Sequence, residues 1–178
     1  MNQDIGRAIV FSIPVVSAAV GLIMISLDTT RSSNTVNRKI HYSMIAVYCL
    51  MMLYWSGLVM HSIARDTFIT YLPVFFSSFS FIPIFLYQIT YLITGIGERK
   101  RFPACHFILP SCLTVTICVI AFTVPFREQW AAIYDNKVNF TSAIIDITFI
   151  VGILLSIFYS GLSLLRIKSY KRKIIDYS

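Results

Sequence analysis

Five long stretches of this chain contain no Asp, Glu, Lys or Arg, and they limit the folds open to it. These stretches are residues 8–27, 40–64, 67–97, 102–126 and 147–165. A helix needs about 20 mostly apolar residues to cross a hydrocarbon core of roughly 30 Å. The fifth stretch reaches this length from Ser142 to Leu165 if Asp146 lies near one end. The pattern predicts transmembrane helices at about 8–27, 40–63, 68–94, 104–125 and 142–165.

The composition agrees with a membrane protein and disagrees with an ordinary soluble domain. The chain is 57% apolar and 13% charged, whereas soluble domains have about 45–50% apolar and about 25% charged residues. The first apolar stretch is longer than the roughly 7–15-residue core of a signal peptide, so we expect it to be retained as a helix. The predicted fold class is therefore all-α, a polytopic integral membrane protein with a bundle of five transmembrane helices.

The positions of the basic residues predict the orientation of the bundle. Eleven of the 15 Lys and Arg residues fall on one side, three in 28–39, three in 95–103 and five in 166–178. Cytoplasmic loops are enriched in Lys and Arg, so this side is predicted to be cytoplasmic and the N-terminus outside. The chain then divides into a transmembrane domain, 1–165, and a basic cytoplasmic linker helix, 166–178, which can lie against anionic headgroups.

No motif for catalysis, cofactor binding or metal binding occurs in the sequence. The HExxH, GxSxG, Walker and GxGxxG patterns are absent, and the predicted spans contain no pair of carboxylates. His41 and His106 both fall at the cytoplasmic boundary, but a shared metal would require helices two and four to touch there. We therefore predict no enzyme activity, no cofactor and no metal site.

Three polar residues in or near the spans are candidates for sensing. Asp146 is the only carboxylate within a predicted span, and an ionisable group in a membrane usually has a function. It either reaches interfacial water or pairs with His61 in the same leaflet, where such a pair could titrate near neutral pH. Gln88 lies in the middle of the third span, where its amide needs a hydrogen-bond partner in another helix or in a ligand.

A periodic pattern along the last helix predicts a contact face. Eight residues recur at steps of three or four, which places them all on one side of a continuous helix. The first four are small and the next four are apolar: Gly152, Ser156, Ser160, Ser163, Ile167, Tyr170, Ile174 and Tyr177. Small residues allow close helix contact in membranes, and the later positions have heptad spacing. Two alternatives remain open, a homodimer seam or packing of the small residues within the chain's own bundle.

One segment resembles a known family. Residues 95–126, GIGERKRFPACHFILPSCLTVTICVIAFTVPF, have a charged GER-type cluster that leads into HFILP, and the following helix closes at VPF. This resembles the N-terminal polytopic membrane region of bacterial AraC-type helix-turn-helix transcriptional regulators, and RIKSYKRKIIDYS is similar to the linker before their DNA-binding domain. That domain is not among these 178 residues, so DNA binding is expected only through a domain not present in this chain.

The resemblance implies a membrane-embedded sensor or input module in the cytoplasmic (inner) membrane that passes a signal to a cytoplasmic output domain. The expected partners are the lipid bilayer and a second copy of the chain. The alternative is a small transporter or a transporter subunit. Many transporters consist of two matching halves with paired interrupted helices, and five spans without an evident repeat do not divide in this way.

Overall fold

The computed structural model describes residues 2–31, 35–95, 102–135 and 139–176, and all regular structure in these ranges is helical. The long helices are α1 (Asn2–Arg31), α2 (Thr35–Ile63), α3 (Arg65–Thr94), α4 (Ile108–Thr123) and α6 (Phe140–Asp176). A 3-10 turn (Ala104–Phe107) precedes α4, and a short helix, α5 (Phe126–Tyr134), follows it. Five helical segments are long and apolar enough to cross a membrane, which confirms the predicted all-helical class and the number of candidate spans.

Helix α3 lies at the centre of the bundle. It packs against α2, α4 and α6, and α1 packs along the outer side of α2. One buried cluster lies toward the beginning of α3 and includes Phe68, Leu72 and Ile117 of α4. A second lies toward its end, where Ile84 meets Leu155 of α6. The uncharged sequence of α3 from residue 67 onward suits it to contacts on several sides.

At three contacts between helices, a glycine of one helix packs against an aromatic ring of another. The pairs join neighbouring helices: Gly21 with Tyr48, Gly57 with Phe75, and Gly152 with Phe79. At each glycine an added Cβ would lie closer to the ring than van der Waals contact permits. Small residues let helix backbones approach in this way, so these contacts help to set the spacing of α1, α2, α3 and α6.

Helix α6 extends well beyond the predicted span. It contains 37 residues, which corresponds to about 55 Å at 1.5 Å per residue. This exceeds the roughly 30 Å of a hydrocarbon core, so the helix is longer than a single crossing requires. The sequence from Arg166 onward contains several Lys and Arg residues, which are good helix formers in water, and the helix continues unbroken to Asp176.

The connection between the fourth and fifth candidate spans contains the short helix α5. Gln129 explains how the short helix is held. Its side chain is buried, and its Nε2 donates hydrogen bonds to the carbonyl oxygens of Val124 at 2.7 Å and Ala121 at 3.3 Å. The last carbonyls of a helix lack partners within the helix. Gln129 of α5 therefore supplies the hydrogen-bond donor that carbonyls at the end of α4 would otherwise lack.

Candidate functional site

The structure does not join the predicted polar pair. Asp146 is exposed on α6, and no hydrogen bond or ion pair connects it to His61 in the described part of the chain. The ring of His61 instead lies 5.3 Å from that of Tyr134 and 5.0 Å from that of Phe68, centroid to centroid. Of the two alternatives for Asp146, the described residues do not form the pair with His61, because α5 places the ring of Tyr134 beside this histidine. The exposure of Asp146 agrees with the interfacial alternative.

Tyr134 is the centre of this aromatic cluster. The Trp130 ring centroid lies 4.7 Å away, and the guanidinium carbon of Arg65 lies 5.2 Å from the Tyr134 centroid. Burial raises the pKa of Tyr134 to about 12, with the charge of Arg65 opposing the shift and that of Asp66 adding to it. These contacts attach α5 to the connection between α2 and α3, and they contain no nucleophile activated by a base.

Gln88 lies half-buried in α3, and its position leaves one polar atom without a partner. Its side-chain oxygen Oε1 is buried and accepts no hydrogen bond from any described residue. Of the two alternatives for the Gln88 amide, the described residues do not supply an interhelical hydrogen bond to this oxygen. An amide oxygen in this state carries a free energy cost of about 1–3 kcal/mol.

The four small residues of the predicted seam have different surroundings in the structure. Gly152 is buried against the Phe79 ring of α3, and Ser156, Ser160 and Ser163 line a groove described below. Gly152 therefore packs within the chain's own bundle, whereas the two alternatives stay open for the three serines. Beyond the predicted span, Ile167 is exposed and Tyr170 is half-buried. The side chain of Ile174 and all of Tyr177 lie outside the described residues.

The groove lies between α2 and α6, with α3 as its floor, and has a volume of about 630 Å³. Met51, Tyr54 and Trp55 form its α2 wall, and the serines named above lie on its α6 wall. The volume is in the range of about 300–1,000 Å³ that is typical of small-molecule sites. The serine stripe is visible in the sequence, but the groove is not, because its walls come from three helices that are distant along the chain.

Arg166 joins the end of α3 to the basic end of α6. Its guanidinium carbon lies 3.8 Å from the ring centroid of Tyr91, and its Nε donates a 2.7 Å hydrogen bond to Thr94 Oγ1. We call these two contacts the Arg166 clasp. The last turn of α3 has no basic residue, and a helix C-terminus carries partial negative charge, so the clasp places a cation where the helix favours one.

The histidines at the same end of the bundle have separate partners. His41 Nε2 lies 3.2 Å from an oxygen of Asp28, and His106 Nδ1 lies 3.0 Å from the Tyr159 hydroxyl. No group of three or more His, Cys, Asp or Glu side chains that could hold a metal occurs in the described ranges. The shared site that would have required α2 to touch α4 is thus not formed by these residues.

No protein family matches the chain, and no curated protein or solved structure is significantly similar to it. The class of protein therefore follows from the geometry: across the described residues the regular structure is helical, and five of these helices are long and apolar enough to span a membrane. Its distinctive features are the aromatic cluster at Tyr134, the groove and the Arg166 clasp.

Proposed function

We propose that the chain is a multi-pass sensor or input module of the cytoplasmic membrane that passes a signal to a cytoplasmic output domain. The observation that carries the proposal is the continuity of α6, which runs without a break from the bundle into the basic segment. A continuous helix transmits rotation or sliding, whereas a flexible connection would lose both. The concentration of Lys and Arg on this side supports its cytoplasmic location.

The Arg166 clasp supplies a contact through which the bundle can control α6. The clasp fixes the exit of α6 against the last turn of α3. A signal that shifts α3 relative to α6 would break these contacts or keep them, giving two discrete arrangements of the kind that switches require. Lys168, Lys171 and Arg172 remain exposed beyond the clasp.

The resemblance to AraC-type regulators supports a transcriptional regulator as the output, with DNA binding assigned to a domain outside this chain. Such an output would use the chain as a homodimer. The exposed Ile167 and half-buried Tyr170 are the parts of the predicted seam available for a second copy. A Cys at Ile167 should crosslink between chains, and a Cys at Lys168 should not.

The proposed function is tested by changing the rotation of the end of α6 relative to the bundle. The full chain is fused after Ser178 to a DNA-binding domain that is active only as a dimer, and one to four Ala residues are inserted after Arg172. Each insertion turns the following helix by about 100°. We expect reporter expression to change with one or two residues and to return toward its original level with four.

The control places the same insertions in a flexible Gly/Ser linker after Ser178, where they should have no periodic effect. Equal reporter output for every insertion after Arg172 would contradict transmission through α6. It would instead favour the transporter alternative, which requires no fixed phase between the bundle and the tail.

A further inference from the structure

The groove between α2 and α6 is open to the bilayer. Leu86 and Leu164 at its rim expose 47% and 69% of their surfaces. Along α6, ten residues separate Ser156 in the groove from Arg166, or about 15 Å. This is half of a hydrocarbon core of roughly 30 Å. The groove and the clasp together therefore span the depth of one leaflet, on the side of the basic segment.

The polarity of the groove changes along its length. Toward its middle, the Ser156 hydroxyl donates to the Gly152 carbonyl at 3.1 Å. This hydroxyl hydrogen is used within its own helix, so this part of the groove suits hydrocarbon. The hydroxyls of Ser160 and Ser163, nearer the clasp, have no hydrogen-bond partner among the described residues.

Arg166 provides a positioned cation one turn beyond Ser163. The Tyr91 ring and Thr94 fix the guanidinium through its face and its Nε. The terminal nitrogens make no hydrogen bond to any residue that the structure describes. A guanidinium binds phosphate through paired N–H groups, and one that is already held in place loses less conformational entropy on binding.

We propose that the groove binds one acyl chain of an anionic phospholipid from this leaflet and that Arg166 binds the lipid phosphate. The chemical groups along the groove follow the same order as the parts of a lipid. An apolar wall lies beside the acyl chain, free hydroxyls lie at the depth of the glycerol esters, and a cation lies at the headgroup. The cation is complementary to the net negative charge of an anionic headgroup, whereas the choline of a zwitterionic lipid offsets its phosphate, and this difference selects the occupant. The proposal does not depend on the sensor function.

Trp55 gives a direct test because it lines the groove. The chain contains two Trp residues, so Trp130→Phe leaves Trp55 as the only one. This full chain is reconstituted in phosphatidylcholine, with a small fraction replaced by phosphatidylglycerol or phosphatidylcholine carrying the same dibrominated chains. We expect brominated phosphatidylglycerol to quench Trp55 with about fivefold higher apparent affinity, the size expected for one basic residue at a membrane surface.

Arg166→Gln should reduce this ratio to about one, and the matched variant Arg172→Gln, on the exposed part of the same helix, should keep most of it. Ser160→Phe fills the groove and retains Arg166, so it should weaken quenching by both lipids. Equal quenching by the two lipids in the unmodified site would overturn the proposal, as would an equal loss in the Arg166 and Arg172 variants.

Two further measurements distinguish other occupants. Added inorganic phosphate should leave the preference for phosphatidylglycerol unchanged. Loss of this preference when phosphate is added would assign the site to a free anion and contradict the proposal. Dilution of the protein in the bilayer should also leave quenching unchanged. An increase on dilution would show that a second copy of the chain occupies the groove, which also contradicts the proposal.

Discussion

Gly152 offers a sharp test of the packing between α3 and α6. An added Cβ at this position would overlap the Phe79 ring edge and lie 2.8 Å from Cδ1. That ring is stacked between Tyr54 at 5.7 Å and Phe149 at 5.4 Å, centroid to centroid. The ring can therefore move only by disturbing both neighbours. Gly161 lies on the same helix, and a Cβ there would meet nothing within 4 Å.

The two glycines should respond to Ala in opposite directions. Ala stabilises a helix interior relative to Gly by about 0.5–1 kcal/mol, which is the effect expected at Gly161. At Gly152 the same gain is opposed by overpacking, which typically costs about 1–3 kcal/mol. We therefore expect Gly152→Ala to be less stable than Gly161→Ala by about 1–3 kcal/mol.

The free energy of unfolding can be measured in mixed micelles by titration with a denaturing detergent, with helical circular dichroism and Trp fluorescence as probes. The comparison of two Gly→Ala changes in one helix removes the contribution of helix propensity. Equal stabilisation by both substitutions would refute the close contact of α6 with Phe79. It would also reopen the use of Gly152 in a dimer seam.

Three other substitutions test separate parts of the structure. Gln129→Ala should destabilise the chain by about 1–3 kcal/mol, because it removes the donor to two carbonyls at the end of α4, and the same unfolding assay measures the loss. Asn139 accepts a 2.7 Å hydrogen bond from the Ser142 amide at the start of α6, so Asn139→Ala should cost about 1 kcal/mol and Asn139→Asp much less. Because burial raises the pKa of Tyr134 from 10.0 to about 12, ionisation of this hydroxyl opposes folding, so the stability of the fold should decline as the pH rises from about 10 toward 12. The tyrosinate absorbance of Tyr134→Phe should lack one late-ionising group that the parent chain has, and identical titrations of the two chains near pH 12 would contradict the burial of the hydroxyl.

The long helices could be predicted from the sequence because each one leaves a direct record in it. A span excludes charge over about 20 residues, so charged positions such as Asp28 and Arg65 delimit the runs closely. The continuation of α6 past Arg166 was also visible, because the small and apolar residues keep one helical phase across the boundary. These features depend on neighbours in the sequence rather than on the approach of distant helices.

The contacts between helices could not be predicted in the same way. The sequence showed that His61 and Asp146 fall in one leaflet, but it did not show that Tyr134 would take the place beside His61. The short helix that carries Tyr134 lacks a long apolar run, and its signals were Pro125 at the start and Glu128 in the first turn. The Arg166 clasp joins residues 72 positions apart, which no local pattern records.

The central claim, that five helices cross a membrane and leave the basic end of α6 in the cytoplasm, is tested most directly by thiol labelling in intact cells. Asp135 and Lys168 are exposed in the structure, and each is replaced by Cys in a chain without its four native cysteines. An impermeant thiol reagent should label the Asp135→Cys chain in intact cells and the Lys168→Cys chain only after permeabilisation. Labelling of both positions in intact cells would contradict a membrane crossing by α6 between residues 135 and 168. Labelling of only the Lys168→Cys chain in intact cells would contradict the orientation.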